Sequence, residues 1–138
     1  MCNIGDIILI DGYKHAGQDL SRHSFVVLGN NAGSIQGLDY SIVCNVLSSF
    51  KNDKQKAKKL SYPGNFEIKY DDTIISGGNN KEGFIKAEQV YYFDIEHLNY
   101  TVIGSMRPEA FERLITFIKN MKIPIERITD NLKSPPTS

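Results

Sequence analysis

The sequence predicts a mainly β fold with some α structure, a small antiparallel barrel with one helix packed on it. Several short apolar segments, separated by glycine- and asparagine-rich turns, come first in the chain. The only long segment with helical spacing comes late, at residues 107–121, and the sequence has no internal repeats. Five to seven short strands followed by a helix favour a closed antiparallel sheet that the helix covers.

Length and composition indicate one globular domain. The chain has 138 residues, 41% of them hydrophobic, which is enough for a core without metal or disulfide cross-links. We assign residues 1–124 to a single domain and residues 125–138 to a C-terminal extension, with a disordered tail from about residue 133.

The net charge and the cysteine content exclude few classes of function. Sixteen basic and sixteen acidic residues cancel, so only local clusters can indicate a nucleic-acid partner. Cys2 and Cys44 lack CxxC neighbours, so no metal site is predicted; a reduced cytoplasmic protein is favoured, and a disulfide between them stays open. No signal peptide or membrane span is predicted, and we expect no membrane association.

The first half of the chain predicts three strands. Residues 6–10 form the first strand, and residues 11–23 read as a loop rich in turn formers. Residues 24–31 and 40–49 are continuous apolar runs, which predicts strands buried on both faces. Another loop, with Gly33 and Gly37, separates them.

The second half begins with a basic segment. Residues 51–59 hold five lysines and one aspartate, a local charge of +4, and predict a loop or the start of a short helix. A strand follows a Pro-Gly turn near residue 64, and residues 73–94 predict two strands joined by a polar hairpin turn. The helix at 107–121 has Pro108 in its first turn and Ser105 as the expected N-cap.

Five segments resemble, in order, the PemK/MazF/Kid toxins of bacterial toxin–antitoxin pairs, over roughly residues 4–121. They are "GDIILID", "RHSFVVLGN", "YSIVCNVLSS", "GFIKAEQVYYFD" and "IGSMRPEAFERLITFI". The resemblance implies an SH3-like barrel with a C-terminal helix, a homodimer, and cleavage of single-stranded RNA that needs neither metal nor cofactor. It also implies a cognate antitoxin protein that blocks the RNA groove.

Arg22 and His23 are the first candidates for this chemistry. Cleavage by the ribose 2′-OH needs a base, a cation beside the phosphate and an acid for the leaving oxygen. Histidine suits proton transfer, and arginine binds phosphate through paired donors. The resemblance places His23 where the family has a catalytic arginine. Both side chains can face one groove only if the strand starts after them, because neighbours on a strand alternate faces.

A second set of candidates lies at two later strand ends. Ser48 can donate a hydrogen bond to phosphate. If Lys86 and Glu88 lie in one strand, they share a face. By resemblance Glu88 is then the base and Lys86 the phosphate cation. The remaining expected RNA contacts are His15, Gln18, Ser49, Lys51, Lys54 and Gln89.

Each candidate also has a purely structural interpretation. Arg22 and His23 fit a solvated strand entrance, Lys86 and Glu88 an exposed ion pair, and the serines a turn. Four functions stay open: an endoribonuclease toxin, a non-cleaving relative, a gyrase-directed toxin and an SH3-like binding module. The sequence favours the endoribonuclease, because it supplies every part of the chemistry.

Overall fold

The computed structural model describes residues 2–77 and 80–132, in which thirteen short strands accompany two α-helices. The predicted tail from residue 133 lies outside these ranges. The helices are α1 (Asp53–Leu60) and α2 (Pro108–Asn120), and two short 3₁₀ helices span Tyr70–Asp72 and Ile95–His97. The strands are β1 Asp6–Ile10, β2 Tyr13–His15, β3 Gln18–Leu20, β4 His23–Gly29, β5 Gly33–Ile35, β6 Leu38–Tyr40, β7 Ile42–Ser49, β8 Asn65–Ile68, β9 Thr73–Ile75, β10 Gly83–Lys86, β11 Gln89–Phe93, β12 Tyr100–Met106 and β13 Glu126–Ile128.

Nine strands form one strongly curled sheet. Its main order is β13-β11-β7-β4-β1-β12-β9, and β10 joins the end of β7 and carries β8 on its other side. Each pair is antiparallel except β11 with β13, which is parallel. A mainly β fold with a curled antiparallel sheet and a late helix is therefore confirmed.

The core has two parts, one on each face of the central strands. Phe25 and Val27 of β4 join an aromatic cluster with Tyr91 and Phe93, and all four side chains are fully buried. Val26, between them, faces the aliphatic cluster under α2. The prediction that this strand is buried on both faces is confirmed, since Phe25, Val26 and Val27 have no exposed surface.

Two segments predicted as loops are hairpins. β2 and β3 pair across a turn at Ala16 and Gly17, and β5 and β6 pair across Gln36 and Gly37. All four turn residues have φ between 53° and 77°, the left-handed conformation that two-residue hairpin turns require. The basic segment forms helix α1, because Oδ1 of Asn52 accepts the Gln55 backbone N–H at 2.8 Å and caps its first turn.

Two details of the second half were predicted wrongly. β9 does not form a hairpin with the strand after it; it pairs with β12, while β10 pairs with β7 and β8. Helix α2 is where it was expected, but Arg107 occupies its N-cap position without a side-chain hydrogen bond. Ser105 lies inside β12, opposite Ile74.

Residues of the C-terminal segment fasten the first hairpin to the sheet. Within the segment assigned above to an extension, β13 lies beside β11, with Arg127 opposite Val90. Asn131 then makes two hydrogen bonds to the Lys14 backbone, accepting at 2.6 Å and donating at 3.0 Å. The Gly17 N–H donates to Asp130 at 3.0 Å. The hairpin is therefore held by residues more than a hundred positions away.

Cys2 and Cys44 are free thiols buried in the aromatic cluster. Burial raises the pKa of each thiol. Within residues 2–77 and 80–132, no three His, Cys, Asp or Glu side chains group as metal ligands would. In the same ranges, no helix has the length and apolar character needed to cross a bilayer.

Candidate functional site

An open groove lies where β4 begins and β7 and β10 meet α1. Its walls are polar and basic over an apolar floor of Leu9, Leu47 and Phe84. The other lining residues are Arg22, His23, Ser24, Ser48, Ser49, Lys51, Gln55, Lys59 and Lys86. Six of the eleven predicted site residues are among them, drawn from three separate segments of the chain.

Arg22 and His23 both line the groove because β4 starts at His23 and leaves Arg22 just outside the strand. The Arg22 side chain is 61% exposed and lies against Asp11. Its Nε donates to Asp11 Oδ1 at 2.5 Å, and its Nη2 to Oδ2 at 3.3 Å. This pairing raises the pKa of Arg22. One edge of the guanidinium is thus fixed by the protein.

His23 is oriented by the aromatic cluster. Its ring meets Tyr13 edge to face, with the ring centroids 5.7 Å apart. Nδ1 is buried and has no hydrogen-bond partner among the described residues. Because the ring lines the groove, Nε2 is the nitrogen available to a ligand.

Strand pairing fixes Ser48 and Ser49. Ser48 lies opposite Phe84, and Ser49 lies opposite Gly83. A side chain at Gly83 would collide with the Ser48 carbonyl oxygen, so glycine is needed for this close approach. The two serines therefore lie at the junction of β7 and β10, beside His23 and Ser24.

Three lysines give the groove its charge, and neither Asp nor Glu is among its lining residues. Lys59 is one turn of α1 beyond Gln55, and its Nζ lies 5.8 Å from the centroid of the Phe84 ring. Gln55 accepts the Lys51 backbone N–H at 2.6 Å. Lys54 projects elsewhere from the helix and does not line the groove.

Ser24 and Gln55 were missed as site residues, and Lys59, although part of the basic segment, was not among the chosen RNA contacts. Residues 51, 55 and 59 are spaced four apart, so a helix through the basic segment predicts that they share one face. The Asn52 cap was the available signal for that helix. Ser24 follows from its position next to His23, opposite Leu47 of β7.

Glu88 and Lys86 were expected to share one face of a strand, but they do not lie in the same strand. Lys86 ends β10, and Glu88 lies in the turn that leads into β11. The Glu88 carboxylate packs against Gly64 and is not among the groove-lining residues. Its Oε2 is buried without a hydrogen-bond partner in the described chain, and desolvation by burial raises its pKa.

Glu88→Gln is expected to increase the free energy of unfolding at pH 7–8. A carboxyl whose pKa is raised in the folded state binds protons more tightly there, so its contribution to stability falls as pH rises above the reference value of 4.5. The amide keeps the shape of the side chain without the buried charge. Urea titrations across pH 4–8 should show the gain disappearing at the acidic end. Exposed Glu112→Gln is the matched control, and an equal gain there would contradict the explanation.

The remaining predicted RNA contacts lie away from the groove. His15 and Gln18 belong to the first hairpin, and His15 Nε2 is 3.5 Å from Glu126 Oε2. The Gln89 carbonyl accepts a hydrogen bond from buried Asn45 at 2.8 Å, where β7 changes partner from β11 to β10. Of the predicted site residues, the structure thus brings together Arg22, His23, Ser48, Ser49, Lys51 and Lys86. Lys54, Glu88, His15, Gln18 and Gln89 are not among the groove-lining residues.

No family model matches the chain, and no curated protein matches it significantly.

Proposed function

We propose that the protein is an endoribonuclease that cleaves single-stranded RNA in this groove without a metal ion. The proposal includes the finer fold assignment, an SH3-like barrel of the PemK/MazF type, and the role of toxin in a toxin–antitoxin pair. One observation carries it. Arg22, His23, Ser48 and Lys86 come from distant parts of the chain and line one open, basic groove.

In this proposal His23 serves as both the base and the acid of the reaction, with cations beside the phosphate. His23 takes the proton of the ribose 2′-OH as the 2′-oxygen bonds to phosphorus, and returns it to the 5′-oxygen as the P–O5′ bond breaks. Arg22 and Lys86 offset the negative charge that grows on the phosphate, and Ser48 donates a hydrogen bond to it. The products are a 2′,3′-cyclic phosphate and a 5′-hydroxyl.

Glu88 has no part in this scheme, because its carboxylate lies outside the groove. Proton transfer is therefore assigned to His23, which is the sole histidine among the groove-lining residues. Arg22 is paired with Asp11, but Lys51, Lys59 and Lys86 have no carboxylate among the lining residues, and this excess of positive charge favours a polyanion as ligand. The 2′-OH requirement makes RNA, not DNA, the substrate.

Two protein partners belong to the proposal: a second copy of the chain and an antitoxin. Ile74 of β9 and Val102 of β12 support a protein contact, since these apolar side chains on neighbouring strands are 50% and 43% exposed. A cytoplasmic location, where mRNA is present, is part of the same proposal.

The test is cleavage of a fluorescently labelled single-stranded RNA in EDTA. We expect fragments ending in a 2′,3′-cyclic phosphate, and no cleavage of the same sequence with deoxyribose throughout. An RNA that is bound but stays intact would favour a non-cleaving relative. An RNA that is neither bound nor cut would leave only a protein-directed function.

Lysines of the basic segment, residues 51–59, offer a matched test of the groove. Lys51 and Lys59 line it, while Lys54 and Lys58 do not. Replacing the first pair with glutamine should reduce the slope of log K against log salt by about 1.4, since each phosphate contact on single strands contributes about 0.7. The second pair carries the same charge, so its replacement should change the slope far less. Equal effects would mean that this segment attracts RNA without positioning it.

A further inference from the structure

A second, more enclosed cavity opens from the groove beside Ser48 and Ser49. The two depressions share these serines together with Ser24 and Leu47. A single-stranded RNA bound in the groove would therefore pass the mouth of the cavity. Its volume, about 230 Å³, is below the roughly 300–1,000 Å³ of pockets for drug-sized ligands. It suits one small ring system.

The base of the cavity is mainly aliphatic, while its mouth is lined by the serines that it shares with the groove. Ile7 and Ile68 are buried at its base, and Leu47, Ile75 and Ile103 complete the apolar lining. These aliphatic side chains offer a phosphate no hydrogen-bond partners, so a phosphate that entered the base would lose its hydration without compensation. They accept the faces of a flat heterocycle, whose edge must then meet polar groups.

The polar lining residues are Lys81, Thr73 and the shared Ser24, Ser48 and Ser49. The hydroxyls can donate or accept, and Lys81 is the one charged residue in this lining. Lys81 lies at the exposed rim, and Thr73, only 2% exposed, lines the interior. An ammonium donates and cannot accept, so the base edge facing Lys81 must present acceptors. Guanine offers O6 and N7 side by side, the pair that lysine and arginine contact most often.

We propose that this cavity binds an unpaired guanine next to the phosphate held in the groove, with Lys81 as the specificity-determining residue. The inference rests on the proposed function, since it takes the ligand of the groove to be RNA. It adds a preferred base and a residue that has no part in the cleavage step. Unpaired bases bound by protein are commonly turned out of the strand and read on their edges in this way.

The test measures binding separately from cleavage. His23→Ala protein is titrated with labelled hexanucleotides of adenosine that carry one central guanosine, inosine, 2-aminopurine, uridine or cytidine. We expect the guanosine and inosine oligonucleotides to bind at least about 5-fold more tightly than the others, because both bases keep O6 and N7. 2-Aminopurine lacks O6, so its oligonucleotide should lose this gain in affinity.

Lys81→Met in the same background should abolish the preference for guanosine and leave the affinity for all-adenosine RNA within about 2-fold, less than one lost phosphate contact would change it. The control is Lys119→Met, which lies on α2 away from both depressions. Equal affinities for all bases, or a uniform loss with Lys81→Met, would overturn the assignment of the cavity.

The wild-type protein then separates the two proposals. Guanosine-selective binding without cleavage would contradict the nuclease proposal and support the guanine site. Cleavage at rates independent of the base would support the nuclease proposal and contradict the guanine site.

Discussion

His23→Ala is expected to lower the rate of RNA cleavage by about 10²–10⁴-fold at saturating RNA. That is the usual loss when a single acid–base group is removed. The effect should fall on turnover and leave RNA affinity nearly unchanged, because Arg22, Lys51, Lys59 and Lys86 still hold the phosphates. Single-turnover kinetics with wild-type and variant protein at matched RNA occupancy measure it directly.

The other two histidines are the controls. His97 lies on the surface, with its Nδ1 2.9 Å from Asp94 Oδ2, and His15 lies beside Glu126 on the first hairpin. Alanine at either position should leave turnover within about 2-fold, because neither histidine lines the groove. Loss of an acid–base group would reduce turnover far more. If His23→Ala cleaves as fast as wild type while its circular dichroism is unchanged, the assignment of proton transfer to His23 is wrong.

Phe25→Ala is expected to reduce the free energy of unfolding by about 3–5 kcal/mol. Phe25 is fully buried, and its ring centroid lies 5.0 Å from that of Tyr13, 5.1 Å from Tyr91 and 5.4 Å from Phe93. Removing it leaves a cavity at the centre of three edge-to-face contacts. Domains of this kind have a total stability of about 5–15 kcal/mol, so the variant should be close to unfolding.

Urea denaturation followed by tyrosine fluorescence and circular dichroism measures this loss. Phe25→Leu, which fills part of the space, should fall between the alanine variant and wild type and remain folded if the alanine variant does not. Tyr70→Ala is the surface control, since Tyr70 is 58% exposed and should change stability by no more than about 0.5 kcal/mol. A similar loss at both positions would contradict the central role of the aromatic cluster.

Apolar runs were sufficient to predict the strands that form the core. β1, β4 and β7 are continuous apolar segments, and they became neighbouring central strands. The first two hairpins escaped detection because three-residue strands such as β2 are too short to show alternation. β13 has one buried residue, Ile128, and its pairing with β11 depends on contacts distant in sequence. Local patterns contain no information on such partners.

Antiparallel pairing explains why residues distant in sequence meet in the groove. Ser24 lies opposite Leu47 in β7, so the start of β4 meets the end of β7, and polar residues at those two ends must lie close together. That reasoning predicts the meeting of His23 with Ser48. It could not predict the position of Glu88, because a two-residue turn between β10 and β11 interrupts the alternation assumed for a single strand.

The position of β1 also bears on the order in which the protein forms. One edge of β1 pairs with β4 soon after it in the chain, and the other pairs with β12, ninety or more residues later. During synthesis that second edge has no partner until β12 has left the ribosome. Sheets closed by such distant strands fold slowly, on the scale of milliseconds to seconds. The nascent chain therefore carries an unpaired, isoleucine-rich strand edge for most of its synthesis, the kind of exposed edge that makes a folding intermediate prone to aggregation.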